Sequence, residues 1–196
     1  MARSKEFDPK KALNRAMHIF WRKGYSLTSL ADLIEGMGIK RQSLYDTFGD
    51  KHKLFLQVLE HYNNTVMPRI LVPLSSDNAS LPEIEKVYNI FMTRVLTGRG
   101  PGACLLAFSA MELAHLDNDV QEKLQDYMAI IEAAFLNAVE NGRAKAEINT
   151  GQTAISQARY LASAMYGLSV LARSGANQET IQDVIEVTIQ HLKTHV

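Results

Sequence analysis

Cysteine is almost absent from this sequence. Cys104 is the one thiol among 196 residues, which excludes an internal disulfide and any metal site built from several thiolates. A chain without disulfides suits a reducing compartment, and a cytoplasmic location is expected. Long apolar runs are missing too. None approaches the roughly 18 residues of a membrane-spanning helix, so no membrane contact is expected. The opening residues MARSKEFDPKK are charged and lack the apolar segment of a secretory leader. No alternating β-branched run is long enough to signal strands, and neither an internal repeat nor a low-complexity segment is found. Gly-x-Ser-x-Gly and a phosphate-cradling glycine loop are absent.

Net charge is also lacking, but its zero value conceals an asymmetry. Residues 1–55 carry 11 Lys+Arg against 6 Asp+Glu, and the remaining 141 residues carry 10 against 15. A basic first quarter on an acidic remainder is the pattern of a nucleic-acid-binding head on a body that does not bind nucleic acid.

What is present is helical periodicity almost from end to end. Asp8-Pro9 is an N-cap followed by proline at the first helical position. Leu13, Ala16, Met17, Phe20 and Trp21 then recur on one face, and Gly24 closes the helix. Thr28 or Ser29 caps a second helix, which Gly36 and Gly38 stop. A short helix follows over about 40–47, and Asp50 caps a longer one bearing Leu54, Phe55, Val58, Leu59 and Tyr62. After Pro68 and Pro73 the stretch SSDNAS reads as a loop. Further helices are predicted at about 81–97, 103–115, 118–141, 151–173 and 177–194. The fold class is therefore all-α, with a head over residues 1–50 and a larger helical body over residues 51–196.

Residues 28–48 have the layout of a helix-turn-helix. In such a unit the second helix enters the major groove of double-stranded DNA with its first residues toward the base edges. Lys40, Arg41, Gln42 and Ser43 occupy those positions. Arg and Lys bond guanine O6 and N7, and Gln bonds adenine N6 and N7. Leu44 and Phe48 face inward. Tyr45 stands at the groove edge, Lys51 adds a charge at the start of the next helix, and a hydroxyl at Thr28 is placed for phosphate.

The stretches AMHIFWRKGYSLTSLADL and MGIKRQSLYDTFGDKHKLF resemble the tetracycline-repressor-type (TetR) transcriptional regulators. The likeness runs from about Lys11 to Leu56. It is carried by Gly24-Tyr25, Thr28-Ser29, Gly38-Ile39, Leu44-Tyr45, Phe48 and Asp50-Lys51. It implies a three-helix DNA-binding head, and a body that binds a small-molecule inducer and forms a homodimer through its last two helices. It further implies phosphate contacts from Thr28, Tyr45 and Lys51, base contacts from Lys40 to Ser43, and repression as the usual mode. The sequence departs from the family at Lys40, where Ser or Thr often caps the recognition helix, and at Ile34 and Gly36, where alanine is common.

The body can also be read from its residues. Leu161, Met165 and Leu168 lie on a stripe rich in small residues, and Ile181, Ile185 and Leu192 on a stripe of branched ones. Two such helices from each of two chains form a four-helix interface, and a dimer reading two half-sites calls for a pseudo-palindromic operator. Phe108, Met111, Tyr127 and Tyr166 are candidates for lining an inducer pocket. Cys104, at a helix start and near Arg99, is a candidate electrophile sensor through a lowered thiol pKa, as the glycine-cysteine-leucine element of some family members suggests.

Two rival functions are weaker. Glu112 and His115 have the Glu-x-x-His spacing of half a carboxylate-bridged metal site, but no other histidine has a glutamate three residues before it. No catalytic residue, metal ligand or cofactor is assigned. A helical adaptor without DNA contact leaves the coincidence of basic charge and helix-turn-helix unexplained.

Overall fold

The computed structural model describes residues 7–96 and 104–194; Arg99 and the glycines and proline before Cys104 lie outside them. Ten α-helices and one 3-10 turn account for most of the described residues. Helix α1 (Pro9–Lys23) begins where Asp8 accepts the backbone N–H groups of Lys10 and Lys11. It buries Ala16, Met17, Phe20 and Trp21, the face that the periodicity predicts. Helices α2 (Leu30–Met37) and α3 (Arg41–Phe48) follow. Ser29, not Thr28, caps α2, in a reciprocal capping box with Asp32. Gly36 lies within α2 instead of stopping it, and a Cβ there would meet Ile19 Cδ1 at 2.5 Å. The turn to α3 is made at Gly38, in the left-handed region at φ 68°.

Helix α4 (Lys51–Thr65) is capped by Asp50 and runs from the head into the body. Phe20 meets Phe55 edge-on at 5.0 Å, and Trp21 meets Tyr62 edge-on at 5.0 Å, so one apolar seam ties α1 along α4. The expected loop SSDNAS is present, between the 3-10 turn Val72–Ser75 and the helix that begins at Leu81. Pro68 and Pro73 sit in the first turns of α5 (Met67–Leu71) and of the 3-10 turn Val72–Ser75. There the missing proline N–H would be unpaired in any case.

The body continues with α6 (Leu81–Leu96), α7 (Leu105–Leu113), α8 (Asn118–Ala144), α9 (Ala154–Arg173) and α10 (Gln178–Leu192). Tyr88 of α6 donates its hydroxyl to Leu161 O of α9 at 2.7 Å, and its ring lies 6.1 Å from that of Phe135 in α8. No strand occurs among the described residues; an isolated antiparallel bridge joins Ile148 to Lys193. No helix among them is long and apolar enough to cross a membrane.

The expected dimer residues need correction. Leu161, Met165, Leu168, Ile181, Ile185 and Leu192 are all buried within the single chain. Each gains roughly 1.5–3 kcal/mol by leaving water there, and none is on the surface to meet a second copy. Periodicity finds the apolar face of a helix, and the rest of the body already covers that face. The outward faces carry other residues: Tyr160 and Val170 on α9 and Val187 on α10 are exposed large side chains.

Candidate nucleic-acid interface

The surface of α3 follows from its cap and its two anchors. Leu44 and Phe48 are buried, which turns positions 41, 42 and 45 outward. Lys40 takes the N-cap without a side-chain cap bond, and no acid stands in the first turn. The N–H groups and positive dipole end of this helix therefore meet no carboxylate. Arg41 and Gln42 are exposed, Ser43 is half-buried, and Tyr45 is 39% exposed. The Arg41 guanidinium lies 5.9 Å from the centre of the Tyr45 ring. Gln42 Nε2 donates to Asp46 Oδ1 at 2.7 Å, a bond that a base edge would have to replace.

Lys51 stands at the first position of α4, just after α3. Its ammonium stands 4.3 Å over the Tyr25 ring, a cation–π contact that holds the charge beside the turn after α1. Burial lowers its pKa, against the pull of Glu112 and Asp32. Thr28 is a second correction. It is fully buried and its hydroxyl donates to Gly24 O at 2.6 Å, so it closes the turn after α1 and does not face phosphate. Lys40, Arg41, Gln42, Ser43, Tyr45 and Lys51 remain as the surface set.

Two side chains from the body grip the same turn, and neither was foreseen in this role. Glu112, at the end of α7, accepts the backbone N–H groups of Tyr25 at 2.9 Å and Ser26 at 2.7 Å. Burial alone would raise its pKa, but those two N–H groups, the Ser26 side chain and Lys51 outweigh burial and lower it. Arg173, at the end of α9, donates to Trp21 O at 3.0 Å and Arg22 O at 3.1 Å. Its guanidinium also lies 4.4 Å from the centre of the Phe108 ring. One end of the turn gives up its carbonyls and the other its N–H groups, each to a side chain of matching charge. No local signal marks these pairs, because the partners are 87 and 152 residues apart in sequence. His52 Nε2 and Asp117 Oδ2, 2.7 Å apart, add a third link from α4 to the body. With Asp119 their ligand atoms lie within 4.8 Å of one another. Asp117 is already used by His52 and, as a cap, by Val120 N.

The pocket candidates divide. Phe108 and Met111 line a cleft of about 310 Å³ beside Glu112 and Arg173. Cys104 lies deeper in the body beside Tyr62, and Tyr166 lies near Cys104. The hydroxyl of Tyr166 is buried and has no hydrogen-bond partner among the described residues. Tyr127, on α8, is near Glu60 and Asp126 and is not part of that cleft's lining. Cys104 is the third correction. It sits at the N-cap of α7, but it is buried, and burial raises its thiol pKa despite bonds with Ala107, Tyr62 and Leu106. A helix start activates a thiol only where the thiolate is solvated or paired.

Similarity to known proteins points the same way as this geometry. A family model described as "Bacterial regulatory proteins, tetR family" matches residues 12–58. The chain is 34% identical to the HTH-type transcriptional regulator YezE of Bacillus subtilis (strain 168), over 98% of this chain and 100% of that protein. It is 29% identical to the HTH-type transcriptional repressor ComR of Escherichia coli (strain K12), over 96% and 90% of the two chains. It is similar in structure to a cysteine mutant of the regulator CifR, solved in complex with 26bp double-strand operator DNA. That TM-score is 0.85 at 27% identity, covering 96% of this chain and 98% of that one.

Proposed function

Because the chain belongs to the TetR family of bacterial regulatory proteins and is a DNA-binding transcriptional regulator, we propose that it works as a homodimeric repressor. In this reading it occupies a pseudo-palindromic operator and leaves it when the body binds a small-molecule inducer. Residues 1–50 form the reading head and residues 51–196 the regulatory body, whose first helix, α4, packs along the head. The carrying observation is the outward face of α3, where Arg41, Gln42 and Tyr45 are exposed beside a helix start without an acid. Arg41 and Gln42 read base edges, with Lys40 and Ser43 beside them. Tyr45 and Lys51 hold phosphates.

The dimer face consistent with burial is the exposed side of α9 and α10. Tyr160, Ser163, Gly167 and Val170 recur at helical spacing on α9, and Val187 stands out on α10. A side chain added at Gly167 would meet nothing of its own chain within 4 Å. That leaves room for close approach of a partner helix. The inducer is noncovalent in this reading, since the buried thiol is not activated. The unpartnered Tyr166 hydroxyl supports a site in the body, because a ligand acceptor there would recover the cost of an unpaired buried donor.

The test is selection of bound duplexes from a random library. An inverted repeat with half-sites about one helical turn apart, or a multiple of it, is expected. Arg41→Ala or Gln42→Ala should relax preference at particular base pairs, by roughly 1–3 kcal/mol for a bidentate contact. Retention of the parent's full preference in both variants would overturn the assignment of α3.

A further inference from the structure

Away from α3 the chain holds a second concentration of positive charge, in a cleft of about 700 Å³ between α1, the end of α4 and the helices that follow it. Lys10, Lys11 and Arg15 reach it from α1, Arg69 from α5 and Arg94 from α6. His18 and His61 stand on its helical walls, and no carboxylate belongs to the lining among the described residues. Its floor is apolar: Met17, Trp21 and Val66 line it and are buried.

Several cations elsewhere on the surface have acidic partners, as in Lys23–Asp32, Lys86–Glu83, Arg159–Glu132 and Lys193–Glu85. None of Lys10, Lys11, Arg69 and Arg94 enters an ion pair among the described residues. Asp8, the acid nearest in sequence, gives one oxygen to the backbone N–H groups of Lys10 and Lys11. Arg15 spends one N–H on Met37 O at 2.9 Å, which fixes its guanidinium at the cleft wall. Like charges around a low-dielectric floor focus a positive potential into the space between them. An anion relieves that repulsion more effectively than water does.

We propose that this cleft binds a small polyanion, a phosphorylated or polycarboxylic metabolite, bridging α1 to α5 and α6. The volume is that of a small-molecule site. Duplex DNA is the less suitable occupant. His61 lies ten residues beyond Lys51 along α4, about 15 Å at the helical rise, and Arg69 lies further on, so the body wall recedes from the DNA end of the head. The binding claim stands apart from the operator reading; only its consequence, a head held to the body by the bound anion, rests on that reading.

The experiment is calorimetric titration of the full chain with inorganic pyrophosphate and, separately, citrate, at fixed ionic strength. One equivalent per chain is expected, with affinity weakened at least tenfold in the Arg69→Gln/Arg94→Gln double variant. Lys86→Gln, which removes a paired cation elsewhere on α6, should bind as the parent does. A preference for pyrophosphate assigns the phosphate class, and a preference for citrate the polycarboxylate class. Circular dichroism confirms that each variant is folded, and the ring resonances of His18 and His61 should shift on addition of the preferred anion. Absence of saturable binding of either anion, or binding that the double variant retains, overturns the proposal. So does an anion displaced by random duplex, if the double variant also loses duplex affinity and salt dependence, because the cleft would then belong to DNA.

Discussion

The carboxylate of Glu112 accepts the backbone N–H of Tyr25 at 2.9 Å, across 87 positions of sequence. With the bond to Ser26 N beside it, it makes the turn after α1 a piece of the body's surface as much as of the head's. Glu112→Ala removes the acceptor from both N–H groups. A loss of roughly 1 kcal/mol is expected, at the low end for a charged acceptor because the site is partly solvated. Amide exchange at Tyr25 and Ser26 should accelerate more than exchange in α8; uniform exchange would show that the contact does not hold the turn.

The same contact has a pH signature. Glu112 has a lowered pKa in the fold, so its contribution is present above the unfolded carboxyl value of about 4.3 and is lost as pH falls through the folded value. Thermal unfolding followed from neutral pH downward should show the parent losing its advantage over Glu112→Ala in that acidic window. A stability difference that stays constant there would mean the carboxylate is not the stabilising species.

Lys51→Ala is expected to weaken binding to every duplex alike and to lower the slope of log affinity against log salt by about one unit. It also removes the cation over Tyr25, so the variant's melting temperature is measured alongside. An unchanged slope would deny the phosphate contact whatever happens to the affinity.

Gly38 holds φ at 68° between α2 and α3. Gly38→Ala should destabilise the chain by about 1–2 kcal/mol through the left-handed backbone, with Arg15 Nη1 3.0 Å from the new Cβ as a further obstacle. Denaturant unfolding reads this directly, and a neutral result would show that the turn has another conformation open to it.

The outward residues of the last two helices give the dimer its test. Val187→Glu, with Val170→Glu as the second variant, places a charge on a face that is solvated in the single chain. Each should leave the monomer folded and shift sedimentation from dimer to monomer. A dimer unaffected by both variants would place the interface elsewhere.

How much of this was legible in the sequence depends on how local each cause is. The helices were, because spacing and caps act within a few residues: Asp8, Ser29, Gly38 and Asp50 mark their starts and stops before any tertiary contact forms. The exposed positions of α3 were legible for the same reason, since burying Leu44 and Phe48 fixes where Arg41, Gln42 and Tyr45 point. Periodicity also marked the apolar faces of α9 and α10, but not what covers them. Leu161 and Ile185 face α6 and α8 of their own chain or a second chain with equal hydrophobic gain, and only the packed body decides between the two. Solvent access was likewise beyond the sequence: Thr28 and Cys104 stand at helix starts, where a hydroxyl or thiol is available to a ligand, yet both are buried. The grip of Glu112 and Arg173 on the turn after α1 belongs wholly to tertiary structure, because charge complementarity between a side chain and a distant peptide group leaves no trace in the spacing of residues.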